Sequence, residues 1–268
     1  MYSNFSFFLF LMEKSSNFHV QLAETTEDLV AIQRLRYEVF VVEMGANTVE
    51  IDHEKRLEQD IYDAHCRHLM LLDLDRGPDR SEQLVGVYRV LTQKGADAAG
   101  GFYSATEFDL DPLLKSGRNL LELGRSCLRK SYRGGSAMFY LWQGLSTLIV
   151  KEDAEILFGS ASFKGTNIAA IAQPLSLLYE EYLATMDLRP KVLPKAYVSL
   201  NQLEKSQIER LTALKAMPAL IKAYLRLGGG VADGAFIDQN FNTTDVCMVL
   251  DIEKISSRQK LIYFRKLK

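Results

Sequence analysis

Charged side chains stand where a buried core would be expected. Glu122 and Arg125 interrupt the apolar run Leu120-Leu-Glu-Leu-Gly-Arg-Ser-Cys-Leu128, and Arg89 sits within Val85-Gly-Val-Tyr-Arg-Val-Leu91. Arg36 lies beside Tyr37, just before Val39 and Phe40. A buried charge costs several kcal/mol unless it is paired. One acid and three arginines in core-forming segments therefore mark either an internal ion network or a polar active site.

A second candidate is the turn Arg129-Lys-Ser-Tyr-Arg-Gly-Gly-Ser136. It follows a strand pattern and precedes a helical one. Its backbone N–H groups could cradle a phosphate, reinforced by Arg129, Lys130 and Arg133, with Gly134 and Gly135 permitting close approach. The plain alternative is a turn with a helix cap at Ser136. His65-Cys66-Arg-His68 suggests a metal site, but four-coordinate zinc takes ligands from separated segments, and the sequence has no second Cys/His pair. No metal is expected. A Gly-x-Ser-x-Gly nucleophile elbow is also absent from the sequence.

The elements that must position these residues follow from periodicity. Phe18–Leu22 alternates as a strand. Thr25 or Thr26 caps a helix with Leu29, Ile32, Leu35, Val39 and Val42 on one face, ended by Gly45. Leu69–Leu74 and Leu84–Leu91 form an antiparallel hairpin, and Leu120–Leu128 is a third core strand. A helix over Ser136–Val150, a strand over Ile156–Phe163 and a helix over Ile168–Ala184 come next. The remainder mixes a helix over Leu203–Leu227, broken near Pro218, with a strand at Val246–Leu250. The order predicts an α+β fold: a mixed, largely antiparallel central sheet flanked by helices.

The chain has 268 residues, 47% hydrophobic and 25% charged, with net charge −2, which argues against disorder and gives no support for a nucleic-acid-coating protein. Three cysteines without a Cys-x-x-Cys pair fit a reducing cytoplasm. The run Phe5–Met12 is too short to span a bilayer and lacks signal-peptide flanks. Residues 1–17 are read as a tail, either disordered or upstream of a start at Met12, with an interfacial anchor as the alternative. Residues 18–268 are one domain, extended from about residue 190. From Lys254 onward six basic residues and no acid mix with apolar ones, suiting a solvated tail or peripheral contact with an anionic inner-membrane surface. Glu43–Asp63 holds seven acids against Lys55 and Arg56. Such a loop is solvated or holds a cationic substrate.

Taken together, Arg36-Tyr-Glu-Val-Phe40, Asp60-Ile-Tyr-Asp63, Gly86-Val-Tyr-Arg89 and Glu122-Leu-Gly-Arg-Ser126 resemble the Gcn5-related N-acetyltransferase superfamily. They resemble in particular its branch of autoinducer synthases and L-ornithine Nα-acyltransferases. The synthase pattern is Glu-x-Ser-Arg; here Gly124-Arg125-Ser126 differs in order. The ornithine acyltransferase resemblance extends through Asp63-Ala-His-Cys66, Gly101-Phe-Tyr-Ser-Ala-Thr-Glu-Phe108, Leu141-Trp-Gln-Gly144 and Phe158-Gly-Ser-Ala-Ser-Phe163, to Asp238 and Asp245.

The resemblance implies transfer of a fatty acyl group from acyl-carrier protein to the α-amine of ornithine, giving lyso-ornithine lipid. It implies Glu122 as general base with Arg125 beside it, and no bound cofactor beyond the carrier's phosphopantetheine thioester. Asp60 and Asp63 are expected on an ammonium of the acceptor, and Arg36, Arg89 or Arg125 on its carboxylate. Arg129, Lys130, Arg133, Gly134 and Gly135 are expected on the acidic carrier and its prosthetic phosphate. Cys127 is expected to be a core thiol, while Phe102, Tyr103, Phe108, Phe139 and Trp142 are candidates for the acyl cleft. The rival readings are an autoinducer synthase, an acyltransferase for another amino acid such as glycine, and a catalytically silent membrane-bound interaction protein.

Overall fold

The computed structural model describes residues 17–263; the expectations for residues 1–16, and for Arg265, Lys266 and Lys268 of the basic tail, lie outside these residues. Strand β1 (Phe18–Leu22) leads to helix α1 (Thr26–Arg36). The Thr25 side chain accepts from the Asp28 N–H, and the Asp28 carboxylate accepts from the Thr25 N–H, a reciprocal cap that fixes the helix start. The helix then widens into a π-helical stretch over Tyr37–Glu43. That change of pitch breaks the expected face, so Val39 stays buried while Val42 is 58% exposed.

Strands β2 (Arg67–Asp73) and β3 (Leu84–Thr92) form the expected hairpin. After the two-residue β4 (Phe108–Asp109) come β5 (Leu120–Leu128), helix α2 (Ala137–Lys151) and β6 (Ile156–Lys164). Helix α3 (Ala172–Glu181), preceded by a 3-10 turn, is followed by the short β7 (Lys191–Val192) and β8 (Tyr197–Val198). Helices α4 (Arg210–Ala216) and α5 (Ala219–Arg226) flank the expected break at Pro218. The described chain closes with β9 (Gly230–Val231), β10 (Ala235–Asp238), β11 (Thr243–Asp251) and a last helical turn pair over Ser257–Tyr263.

The main sheet runs β1-β2-β3-β5-β6-β11-β10-β8, with β9 on β11, and β4 pairs with β7 separately. Its named pairings are antiparallel except β5 with β6. The segment after residue 190 thus adds strands to the central sheet: β11 pairs along the whole of β6. Alternation on β2 serves both faces. Leu69 and Leu71 pack with Leu141 and Leu145 of α2, while Met70 and Leu72 pack with Ile32 and Leu35 of α1. Helix α2 approaches closely because residue 144 is glycine; a Cβ there would lie 2.3 Å from Val20 Cγ1.

Candidate active site

The two central strands part company midway. β5 and β6 pair in parallel only over Leu120–Glu122 and Ile156–Phe158, and then diverge. At the fork stands Gly159, with φ +153° and its missing Cβ 2.1 Å from the Leu123 carbonyl oxygen, a place that only glycine fits. On its other edge β5 carries a bulge: Val87 faces Cys127 and Arg89 faces Gly124, so Arg125 and Ser126 together oppose Tyr88. Arg125 takes φ +49° there. The cleft between the strands is a cavity of about 400 Å³, within the usual range for small-molecule sites.

Glu122 sits at the closed end of the fork and reaches the cavity wall. Its Oε2 accepts the Tyr103 N–H at 2.8 Å and its Oε1 the Ser104 N–H at 2.6 Å. Burial pushes its carboxyl above the usual range, partly opposed by these donors and by Arg89. Each carboxylate oxygen has a second lone pair, so the group can still accept a proton.

Behind the wall lies a closed ion network. Arg36 donates to Glu58 and, at 2.8 Å, to Asp63; Arg89 donates to Asp60 at 2.6 Å and Asp63 at 2.9 Å. Arg125 donates to Glu58 at 3.0 Å and Asp60 at 3.1 Å, its guanidinium 4.6 Å from the rings of Tyr103 and Phe241. Three cations meet three anions. Against the penalty of burial, Arg36 and Arg125 hold the Glu58 carboxyl down at about 2, and Arg36 and Arg89 hold Asp63 low as well. Arg89 and Arg125 line the cavity, whereas Arg36, Glu58, Asp60 and Asp63 do not. Of the residues expected on the acceptor, Asp60 and Asp63 pair with Arg89, Asp60 also with Arg125, and Arg36 pairs with Glu58 and Asp63, so these three act on the cavity through the arginines that line it.

The cavity wall brings in a second acidic group, Glu107, Asp238 and Asp245, whose nearest oxygens all lie within 4.8 Å of one another. These residues, with Glu58, are absent from the sequence-predicted site. Glu107, Asp238 and Asp245 all belong to the stretches quoted for the family resemblance, but nothing in their spacing announces that the three meet. Burial, together with Asp245, pushes Glu107 well up, and burial lifts Asp245 to about 6.

The basic turn divides. The Arg129 guanidinium donates to the carbonyls of Leu84 at 2.7 Å and Ser81 at 2.8 Å, so it fastens the hairpin. Lys130, Gly134 and Gly135 are exposed. Arg133 bonds the Leu128 carbonyl and the Glu43 carboxylate, and lines the cavity with Gly134. Of the five aromatics expected in the acyl cleft, only Tyr103 reaches the cavity; Phe102, Phe108 and Trp142 belong to the core. The apolar wall comes instead from Phe40, Met44, Leu128, Met138 and Leu220. Burial pushes the Cys127 thiol up to about 12, which suits a core residue and not a thiolate nucleophile.

Comparison with known proteins gives this geometry a context. Over 251 residues the chain is 44% identical to the L-ornithine N(alpha)-acyltransferase of Rhodobacter capsulatus, covering 94% of this chain and 96% of that relative. The chain belongs to the L-ornithine Nα-acyltransferase family. A relative of the same name from Brucella abortus is 40% identical over 250 residues, 92% of this chain and 89% of the relative. Residues 35–143 match the Acetyltransferase (GNAT) domain, the stretch from the end of α1 into α2 that carries Glu122 and both cavity-lining arginines of the network. A crystal structure of the AHL synthase LasI aligns over 94% of this chain and 98% of its own, at 14% identity and a TM-score of 0.49. Membership of the ornithine acyltransferase family makes the protein an acyltransferase, and the sheet-and-helix layers are those expected from its sequence. No helix among the described residues is long and apolar enough to cross a membrane.

Proposed function

We propose that this protein transfers a (3-hydroxy) fatty acyl group from acyl-carrier protein to the α-amine of L-ornithine. The product is lyso-ornithine lipid, and the reaction opens ornithine lipid synthesis. The single observation carrying this reading is the near full-length identity to the Rhodobacter capsulatus acyltransferase. The cavity supports it, combining an apolar wall for an acyl chain with carboxylates and arginines for an amino acid.

The chemistry follows from residues on that wall. An α-amine with a model value near 8 is largely protonated at neutral pH, so attack requires removal of a proton. Glu122 takes it, directly or through a water, helped by a carboxyl that burial has made more basic. The amine nitrogen bonds to the thioester carbon while backbone N–H groups at the β5 bulge stabilise the developing oxyanion. The C–S bond then breaks as the nitrogen gives up its second proton; of the two protons released, one passes through Glu122 to the departing pantetheine thiolate and the other goes to solvent. Arg89 or Arg125 pairs with the acceptor carboxylate. Lys130 and Arg133 face the acidic carrier at the mouth, with Gly134 and Gly135 beside its phosphate. The acylated product suits release at the inner-membrane surface.

Lipid mass spectrometry on a host that makes no ornithine lipids, expressing this chain alone, tests the reading. Lyso-ornithine lipid should accumulate; acyl-homoserine lactones, acylglycine, or no new product would refute it.

A further inference from the structure

Glu107, Asp238 and Asp245 come from three different segments: the loop before β4, the end of β10, and β11. All three side chains are buried and line the same cavity as Glu122. Among the described residues no cation lies within 4.0 Å of any of the three, in contrast to Glu58, Asp60 and Asp63. One oxygen of each is partly accounted for. Glu107 Oε2 accepts the Ser160 hydroxyl at 2.6 Å, and Asp238 Oδ1 accepts the N–H groups of Asn240 at 2.8 Å and Phe241 at 3.1 Å. Asp245 Oδ1 is fully enclosed and has no hydrogen-bond partner, which is costly for a buried acceptor.

We propose that these three carboxylates are the binding site for the side-chain ammonium of the acceptor amino acid, an inference that rests on the acyl-transfer reading above. An alkylammonium offers three N–H donors and no acceptor, matching three converging oxygens, one from each residue. A divalent cation could also use three carboxylate oxygens and complete its shell with water, so metal ions are tested beside the amino acids. The site shares a cavity with Glu122, so an amino acid anchored by its far amine presents its α-amine toward the base. It also explains why the acidic loop is spent on arginines: the acceptor's charge is read elsewhere.

A cation among these oxygens favours the ionised form of each carboxyl that the fold has made more basic. Burial and mutual repulsion raise Glu107 and Asp245, opposed by the Ser160 hydroxyl at Glu107, by the Ser162 and Thr243 side chains at Asp245, and less by Arg125; Asp238, Tyr103 and Cys247 stand nearby. Binding of an ammonium should therefore release protons, while a neutral side chain releases none from this site.

Titration calorimetry on the full chain without donor tests the proposal, using L-ornithine, L-norvaline (the same skeleton without the side-chain amine), and Mg²⁺, Mn²⁺ and Ca²⁺ separately. Asp245→Asn and Glu107→Gln should each weaken ornithine binding about tenfold or more, the scale of one lost charge-assisted hydrogen bond. Norvaline should bind weakly and discriminate little between wild type and variants. Proton release, read in two buffers of different ionisation heat, should fall in Asp245→Asn. Thermal melts should show both variants folded, since each relieves like-charge repulsion. Equal ornithine affinity in folded wild type and variants overturns the proposal, as does equal loss for norvaline, or a metal affinity that the variants lose while ornithine binding stays. Ornithine bound through the three carboxylates but never acylated would instead refute the acyl-transfer reading and leave the site standing.

Discussion

Gly159 of β6 lies against the Leu123 carbonyl of β5, with room for a hydrogen and none for a methyl group. The contact marks where the parallel pairing ends and the cleft begins. Gly159→Ala should cost about 1–3 kcal/mol through overpacking and strained backbone, a fall of roughly 2–4 °C in Tm for each kcal/mol. Acyl transfer should fall further than stability does, because the wall carrying Glu122 and Arg125 shifts. A variant with wild-type Tm and turnover would show that the fork tolerates a side chain.

Glu122→Gln keeps the shape but not the hydrogen bonds. Both carboxylate oxygens accept backbone N–H groups, so one of the amide's faces must point its own donor at Tyr103 or Ser104. The expected result is a loss of about 1–3 kcal/mol from the buried mismatch together with at least ~100-fold lower kcat. Turnover near wild type at neutral pH would leave Glu122 as a structural partner only.

Glu58 is the keystone between Arg36 and Arg125. Glu58→Gln leaves two buried guanidinium groups short of charge and should cost about 3–5 kcal/mol. Its pH signature has a definite sign. A carboxyl lowered to about 2 from its ordinary 4.5 stabilises the fold fully above 4.5, and that support is lost as pH falls through 2. Urea melts between these values should show a smaller pH slope in the variant than in wild type; identical slopes would place the acid-sensitive group elsewhere.

Asp245 runs the opposite way. Raised from 3.8 to about 6, it destabilises the ligand-free fold as pH climbs through that window, by on the order of 3 kcal/mol. Asp245→Asn should therefore melt above wild type at pH 7, and the advantage should vanish near pH 4. A variant less stable than wild type at pH 7 would mean that the carboxylate is satisfied in solution.

The turn separates docking from folding. Lys130→Glu should raise KM for acyl-carrier protein, increasingly so at low salt because exposed charges are screened beyond about 8–10 Å, while sparing a small acyl-pantetheine donor. Arg129→Ala should lower Tm instead, by freeing the carbonyls of Ser81 and Leu84. The reverse pattern would reassign the two residues.

Glu122 and Arg125 were legible because charge on an apolar strand is itself a signal, and β2, β3, β5 and β6 because their runs are long enough to show a period. Glu58 was not, since an acid in a seven-acid loop reads as solvated until Arg36 and Arg125 arrive from elsewhere. Asp238 and Asp245 are neighbours on the β10–β11 hairpin, but Glu107 lies far from them in the chain and meets them only because β11 also pairs with β6, whose Ser160 bonds Glu107, which local pattern does not encode. Strands β7 to β10 have two to four residues, too few for alternation to register. The π-helical turn after Arg36 shifted Val42 to solvent for the same reason: residue spacing presumes a pitch.

The most direct test is acyl transfer by the purified chain, with a 3-hydroxyacyl thioester of acyl-carrier protein offered ornithine, glycine and S-adenosylmethionine in competition. The site of acylation is then read by fragmentation mass spectrometry. The expected product carries one acyl group, on the α-nitrogen of ornithine. Acylation of the side-chain nitrogen, preference for glycine, or a homoserine lactone would contradict the account.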